Sequence, residues 1–350
     1  MKNTWLLFVG VILLVGCKPK DIELNDITET FQSFQETDSL TFVAMADEVI
    51  HEPMKMIWLK DHLILRGNVL PGDSFLIDYS LKENKVVSKG IRKGEGPEEL
   101  LNCDIVLHGD DLWLYDSGKQ KVCKLVADSV LSGNYAMNQC HKVLPCYYSV
   151  ELLNDSVLLG TNDLTSRYKL AYLNLNSGET KSQALYSYLN EHIPLSALID
   201  AGSCYINVHP HSKDIALSYR YTDVLEIYNQ HGELKNSVQG PACFDVSFSV
   251  RSNRSMEKTN KTRKAFVNNY VTDNYIYLLY SGCGRADKNW SYGTELFIYS
   301  WNGKPLKRYV LEQPIYAFAI NDSDSELYTY SLQTGELMKA TIATQAADKK

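Results

Sequence analysis

The sequence predicts an all-β fold, and three observations support this prediction. Tyr, a residue enriched in strands, occurs 23 times, against 10 Phe and 5 Trp. Short alternating apolar runs bounded by turn residues recur along the chain, as in Tyr275 to Leu279 (YIYLL). No apolar stripe at helical spacing of comparable strength follows residue 52. The composition, 22% charged and 45% hydrophobic, is that of a soluble globular protein and excludes disordered and collagen-like chains.

The strand pattern repeats at nearly regular intervals, which predicts a six-bladed β-propeller. A turn followed by an alternating apolar strand recurs six times, spaced 44 to 59 residues apart, at Asp61, Asp111, Asp155, Asp214, Asp273 and Asp324. Repeats of this length with about four strands each are typical of propeller blades. A pair of β-sandwiches is the alternative architecture, but it predicts no fixed period.

Tight turns inside the repeats support the hairpins that such blades need. Gly178, Gly232 and Gly303 each fall between two predicted strands. Asn302-Gly303 is a particularly strong hairpin signal, because a two-residue turn needs positive φ.

The first and last repeats predict how the ring closes. The sixth repeat has only three strands, whereas the run from Leu40 to Met45 (LTFVAM) is a strand that precedes the first blade. We expect this N-terminal strand to complete the last blade, because pairing would cover two sheet edges at once. The predicted organisation is a targeting segment at 1–17, a polar lead at 18–39, the propeller at 40–345 and a polar tail at 346–350.

The first 17 residues have the pattern of a signal peptide. Lys2 precedes about ten apolar residues, which are too few for a helix to span roughly 30 Å of hydrocarbon. The ending Leu14-Val15-Gly16-Cys17 resembles the bacterial lipoprotein signal, or lipobox, in which the cysteine is acylated. The resemblance implies a lipid on Cys17, and Lys18 in place of Asp implies the outer membrane, with the protein facing the periplasm or the cell surface. An ordinary secretory signal or a short anchor is the alternative.

Residues 90–116 (GIRKGEGPEELLNCDIVLHGDDLWLYD) carry a further resemblance. Gly94 to Leu100 is similar to the G-x-G-P-G-E-F-like junction of NHL and TolB-like propellers, including six-bladed propeller lipoproteins of Bacteroidetes. Glu98 and Leu100 depart from that pattern, where Gly and an aromatic residue are usual. The resemblance implies a six-bladed propeller in the cell envelope, and no single activity.

Seven cysteines remain after Cys17, so at least one cannot pair within the chain. Cys140 and Cys146 are a disulfide candidate in an oxidising periplasm, because they are close in sequence, with buried unpaired cysteines as the alternative. No C-x-x-C unit is present, which excludes zinc-ribbon and thioredoxin sites.

Propellers place ligands at the central channel and on the face that holds the loops between second and third strands. The longest such loop runs from Ser281 to Gly293, and its counterparts lie in the third and fourth repeats. Arg, Trp and Tyr are residue types that anchor ligands or partners. The candidate ligand-binding residues are therefore Arg167, Arg220, Tyr221, Arg285, Trp290 and Tyr292, with an ordinary solvated loop surface as the alternative.

Signals for a metal or for catalysis are weak. His209 and His211 are spaced to point to one side of a strand, but no third ligand is identifiable. No hydrolase, zinc-protease, Walker or EF-hand motif occurs. Lactonase-like propellers bind a metal through Glu, Asn and Asp at inner strand ends, and the possible donors in this sequence are Glu151, Asn207, Asn268, Asn269 and Asn321. We predict no cofactor, no metal and no catalytic residue.

The charge pattern bears on partners. The net charge is −7 and the basic residues are scattered, so nucleic acid is not an expected partner. The basic stretch from Arg251 to Lys264 is expected to be a solvated loop, with contact to anionic lipid or glycan as the alternative.

The leading hypothesis is a lipid-anchored propeller that binds an envelope protein or a glycan. The alternatives are an enzyme of lactonase or lyase type with a channel metal, and a purely structural scaffold.

Overall fold

A computed structural model of the chain describes residues 20–22, 27–49, 52–186 and 193–343. The signal peptide with Cys17 and the tail at 346–350 are predictions that lie outside the described residues. Six sheets follow one another, antiparallel except for one added parallel strand in each of two, and their inner strands contact each other in ring order, the sixth meeting the first. The predicted six-bladed propeller is confirmed.

The first three blades each contain four strands. From the inner strand outward, the bounds are Pro53–Leu59, His62–Gly67, Ser74–Ser80 and Lys85–Arg92 in blade 1; Asp104–His108, Asp111–Asp116, Lys121–Val126 and Asn138–Lys142 in blade 2; and Ser149–Asn154, Val157–Thr161, Tyr168–Asn174 and Thr180–Leu185 in blade 3. Two short helices, Ala127–Leu131 and Leu195–Ala201, lie in blade 2 and before blade 4. Among the described residues, no helix has the length and apolar character needed to cross a membrane.

The last three blades take strands from the N-terminal part of the chain. Blade 4 contains Cys204–Val208, Ile215–Tyr219, Val224–Tyr228 and Leu234–Gln239 with Glu29–Thr30; blade 5 contains Phe266–Val271, Tyr275–Tyr280, Gly293–Ser300 and Pro305–Ile315 with Glu36–Leu40; and blade 6 contains Phe318–Ile320, Glu326–Tyr330 and Glu336–Thr341 with Val43–Val49. A small sheet of Lys20–Ile22, Val246–Val250 and Met256–Glu257 precedes blade 5.

The N-terminal closure is confirmed, with a shift in the strand that makes it. Val43–Val49 pairs antiparallel with Glu336–Thr341 and supplies the fourth strand of blade 6. Leu40, at the start of the predicted strand, instead ends Glu36–Leu40, which adds a parallel fifth strand to blade 5. Thus the segment predicted as a polar lead contains strands that cover blade edges.

Each pair of adjacent blades encloses one hydrophobic cluster. Alternation in Tyr275–Tyr280 sends Tyr275 and Tyr277 toward blade 6, whereas Ile276 and Leu278 pack toward blade 4. Because both faces of the sheet are buried, side-chain alternation divides one apolar run between two clusters. The many tyrosines of blades 5 and 6 are thereby explained as packing between blades.

The G-E-G-P segment is a structural crossover between blades 1 and 2. The Gly96 N–H donates to the Glu99 carboxylate at 2.9 Å, and a Cβ on Gly94 would lie 2.0 Å from the same carboxylate. Lys119 Nζ closes the loop by donating to the carbonyl oxygens of Gly96 and Glu99. Close approach to Glu99, rather than positive φ, therefore explains these two glycines.

The predicted Cys140–Cys146 pairing is wrong. Cys140 forms a disulfide with Cys123, 17 residues earlier, and Cys146 is free and exposed. Cys123 and Cys140 lie on the paired third and fourth strands of blade 2, where the register shifts between Val122 and Lys124. Strand pairing brings Cys123 and Cys140 together, although Cys140 and Cys146 are closer in sequence.

Candidate functional site

The candidate site lies on the face formed by loops between second and third strands and by crossovers between blades. Arg220 and Tyr221 follow the second strand of blade 4. Backbone hydrogen bonds hold this loop on two sides, from Arg220 N to Ser203 O at 3.0 Å and from Ala265 N to Arg220 O at 2.8 Å. The position of Arg220 is therefore fixed by the junction of blades 4 and 5.

Arg220 is surrounded by tyrosine rings. Its guanidinium carbon lies 4.8 Å from the ring centre of Tyr148, 5.4 Å from that of Tyr221 and 6.0 Å from that of Tyr205. Distances within about 6 Å are those of cation–π contacts. Tyr221 is buried at 2% exposure, whereas Tyr148 is 43% exposed. The three rings thus contact the cation, and Tyr148 is the most exposed of the three residues.

The Arg220 side chain has no acidic partner among the described residues. It is half-buried, and its buried Nε has no hydrogen-bond partner in the same part of the chain. A buried donor without a partner has an unfavourable desolvation energy, which a ligand acceptor would offset.

Two lysines add to the positive charge beside Arg220. Lys264 Nζ lies 5.4 Å from the Trp290 ring centre, and Lys258 Nζ lies 5.4 Å from that of Tyr221. The Tyr221 and Trp290 rings are stacked, with centres 6.3 Å apart. We call Arg220, Lys258, Lys264, Tyr148, Tyr205, Tyr221 and Trp290 the Arg220 cluster.

Lys264 has an unusual electrostatic environment. It is 8% exposed, and burial, followed by the charges of Arg220 and Lys258, lowers its pKa to about 7. The basic stretch is therefore not uniformly solvated as expected. Arg263, the preceding residue, donates to Gly282 O and contacts the Phe244 ring at 4.1 Å.

Three of the six predicted ligand-binding residues, Arg220, Tyr221 and Trp290, come together in this cluster. Tyr221 is buried and supports its neighbours rather than presenting its own ring. Trp290 is half-buried.

The other three predicted residues lie outside the cluster. Tyr292 contacts Tyr316, with ring centres 6.4 Å apart. Arg285 is exposed, and its Nη1 donates to Lys258 O at 3.2 Å. Arg167 is exposed, and its side chain makes no hydrogen bond or ion pair with another described residue.

Sequence reasoning missed Tyr148 and Tyr205, and it singled out Lys258 and Lys264 only as part of the basic stretch from Arg251 to Lys264. Tyr148 directly precedes the inner strand of blade 3, and Tyr205 lies on the inner strand of blade 4. A position just before an inner strand was the available signal for Tyr148, because crossovers reach the same face as the loops between second and third strands.

The central channel opens near the cluster. Tyr148, Tyr205 and Tyr316 line a cavity of about 180 Å³, together with Arg66 and Asp104. The buried Nε of Arg66 also has no hydrogen-bond partner among the described residues. Asp104 is paired with Lys55 at 3.6 Å.

The possible metal donors are divided between different places. Glu151, Asn207 and Asn269 line a cavity of about 440 Å³ that also contains Lys55 and His211. Burial raises the pKa of Glu151 to about 8, and the positive charge of Lys55 opposes this shift. The described residues contain no group of three His, Cys, Asp or Glu side chains arranged for a metal.

The other two candidate donors, Asn268 and Asn321, hydrogen-bond to the backbone of neighbouring segments. His209 and His211 lie on the opposite face of the propeller. Asn268 Nδ2 donates to Tyr316 O, and Asn321 Oδ1 accepts from Ser325 N. His209 packs on Trp301 at 4.8 Å, and His211 Nε2 lies 3.2 Å from Asp273 Oδ2.

Six sheets around a central channel, with loops gathered at its mouths, define the chain as a six-bladed β-propeller. It belongs to the TolB-like 6-blade propeller-like family, which residues 32–323 match. This confirms the family resemblance drawn from the sequence.

Two solved structures from Bacteroides share the fold. A protein from Bacteroides fragilis described as exported aligns with a TM-score of 0.56 and 10% identity, covering 90% of this chain and 99% of its own. A DUF4221 family member from Bacteroides vulgatus aligns with a TM-score of 0.54 and 9% identity, covering 89% and 98%. At these identities the likeness concerns the fold alone. No match is found among functionally curated proteins.

Proposed function

We propose that this propeller is a lipid-anchored protein of the bacterial outer membrane that binds an envelope protein or a glycan through the face bearing the Arg220 cluster. The observation that carries the proposal is the exposed residue Tyr148, whose ring contacts a half-buried Arg220 that has no acidic partner among the described residues. Tyr, Trp and Arg are the side chains that most often dominate binding energy at interfaces.

The envelope location rests on the sequence. Leu14-Val15-Gly16-Cys17 provides an acylation site, and the similar Bacteroides fragilis structure is of a protein described as exported. Two or more acyl chains would anchor the protein stably. Radiolabelled palmitate should label the full chain in its host and should not label Cys17→Ala. Equal labelling of both would contradict the anchor.

Binding can be tested by cross-linking in intact cells. A photoreactive residue is placed at Lys288, an exposed position in the loop that also carries Trp290, in the full chain. The control position is Gln230, which is exposed between the third and fourth strands of blade 4, on the opposite face. We expect a discrete adduct from Lys288 only. No adduct, or the same adduct from both positions, would overturn the proposal.

A channel enzyme of lactonase or lyase type is the alternative function. Glu151, Asn207 and Asn269 do share one cavity, but Lys55 already supplies a cation there. A metal would have to bind against the charge of that ammonium group, so the channel favours the binding hypothesis. Elemental analysis that finds a stoichiometric metal in the purified protein, together with lactone hydrolysis or lyase activity, would reverse this preference.

A further inference from the structure

The Arg220 cluster is a concentration of positive charge that the described part of the fold does not neutralise. No ion pair joins Arg220, Lys258 or Lys264 to a carboxylate of the described residues. The charged groups that act on Lys264 are Arg220 and Lys258, both positive, and its ammonium nitrogen lies 5.4 Å from the Trp290 ring centre. Like charges this close repel each other, and an anion would relieve that repulsion.

A second observation at the neighbouring channel mouth also indicates an anion. Arg66 lines the cavity of about 180 Å³, and its buried Nε, like that of Arg220, has no hydrogen-bond partner among the described residues. Asp104 is the carboxylate in this cavity, and Lys55 pairs with it. Arg66 and Arg220 therefore each have a buried Nε that makes no hydrogen bond with another described residue.

We propose that the ligand is an acidic glycan, a sugar whose carboxylate is held by Arg220 and Lys264 while its ring packs on the exposed face of Tyr148. This inference rests on the proposed binding function and specifies its ligand class. A guanidinium binds a carboxylate through two parallel hydrogen bonds, which a neutral hydroxyl cannot reproduce.

The shape of the site favours a sugar over a peptide. The cavity beside Tyr148 holds about 180 Å³, below the roughly 300–1,000 Å³ of pockets that enclose drug-sized ligands. One exposed aromatic ring beside a small opening matches a single flat ring that carries one charged substituent. The C–H face of a sugar packs on such a ring, and its carboxylate extends from the ring edge toward the cations.

Binding should also take up a proton. Lys264 titrates near pH 7 because burial and two neighbouring cations lower its pKa. A carboxylate beside it favours the charged form and raises that pKa. The complex should therefore hold up to one more proton than the separate partners in the pH range just above 7, and affinity should fall as the pH rises further.

Calorimetric titration of the purified full chain tests the ligand class. The probe is a galacturonate oligosaccharide, and its neutral counterpart is a galactose oligosaccharide of the same length. We expect the acidic sugar to bind at least about tenfold more tightly, the effect of a charge-assisted hydrogen bond. Titrations in two buffers of different ionisation enthalpy, at a pH slightly above 7, should show proton uptake.

Matched variants assign the binding to the cluster. Arg220→Gln should weaken acidic-sugar binding at least about tenfold, whereas Arg92→Gln, an exposed arginine on the outer strand of blade 1, should not. Lys264→Met should abolish proton uptake. Lys264→Met removes the second proposed contact to the carboxylate and provides a second affinity test if Arg220→Gln does not fold.

Three results would overturn the inference. Equal binding of the neutral sugar would show that the ligand is not acidic, while leaving the binding function intact. Binding of poly-glutamate without binding of the acidic sugar would replace a glycan with a peptide. Unchanged affinity in Arg220→Gln or in Lys264→Met would show that the acidic sugar does not bind at the Arg220 cluster. Failure of the proposed binding function can be distinguished from failure of this inference, because it would appear as the absence of a cross-linked adduct from Lys288.

Discussion

The guanidinium carbon of Arg220 lies 4.8 Å from the ring centre of Tyr148, and the two residues belong to different blades. Arg220 follows the second strand of blade 4, and Tyr148 precedes the inner strand of blade 3. The contact therefore joins adjacent blades on the loop face. Because residue Tyr148 is 43% exposed, the same contact joins the cation to a tyrosine that solvent reaches.

Replacing Arg220 by lysine should distinguish the contribution of the positive charge to ligand affinity from that of the planar guanidinium group. The lysine side chain in Arg220→Lys keeps the positive charge, but it can neither stack as a plane between Tyr148 and Tyr221 nor bind a carboxylate through two parallel hydrogen bonds. We expect ligand affinity to fall about tenfold while thermal stability changes little, because the lysine ammonium can still make cation–π contacts with the surrounding tyrosine rings. Calorimetric titration and thermal unfolding measure the two effects. Wild-type affinity in Arg220→Lys would show that charge alone is sufficient.

The fold could be predicted from the sequence because its determinants are local. Alternation in Tyr275–Tyr280 and the Asn302-Gly303 turn each specify strand or hairpin geometry within a few residues, and Gly303 has a φ of 84°. The Arg220 cluster depends on which blades are neighbours. Tyr148 and Lys264 lie close to Arg220 only because the blades pack side by side in the ring. Their spacing in the sequence does not predict that proximity. The Cys123–Cys140 disulfide depends similarly on strand register.

Lys264 should make stability depend on pH in a defined direction. Its pKa in the folded protein is lowered from 10.5 to about 7. Below about pH 7 Lys264 is protonated in both the folded and the unfolded protein, so the folded protein carries the full free-energy cost of burying the ammonium group. Between about 7 and 10.5 the unfolded chain holds the additional proton, so this contribution to the free energy of unfolding rises with pH.

Lys264→Met should therefore stabilise the protein most at low pH. We expect a gain of about 2 kcal/mol or more at about pH 6 relative to wild type, and a smaller gain at about pH 9.5. Urea unfolding at the two pH values measures the difference. Lys82→Met, at an exposed turn position, is the control and should show the same small effect at both. An equal gain for Lys264→Met at both pH values would contradict the assigned titration.

The Cys123–Cys140 disulfide should stabilise blade 2. It closes a loop with a sequence separation of 17, for which chain-entropy arguments give about 3 kcal/mol. The double variant Cys123→Ala/Cys140→Ala should lose about that much free energy of unfolding in urea, whereas exposed Cys146→Ala should lose less than about 0.5 kcal/mol. Non-reducing peptide mapping should recover the Cys123 and Cys140 peptides joined. A Cys140–Cys146 peptide would contradict the pairing.

Removal of the closing strand should open the ring at blade 6. Val43–Val49 covers the edge of Glu336–Thr341, and Glu36–Leu40 covers the fourth strand of blade 5. A chain that begins at residue 50 would expose both edges, and we expect a lower thermal transition and aggregation in size-exclusion chromatography. A chain that begins at residue 36 keeps both strands and is the matched control. Adding a peptide of residues 36–49 should restore the monomer, whereas a scrambled peptide should not. If both truncated chains are monomeric with equal thermal transitions, the N-terminal strands do not close the ring.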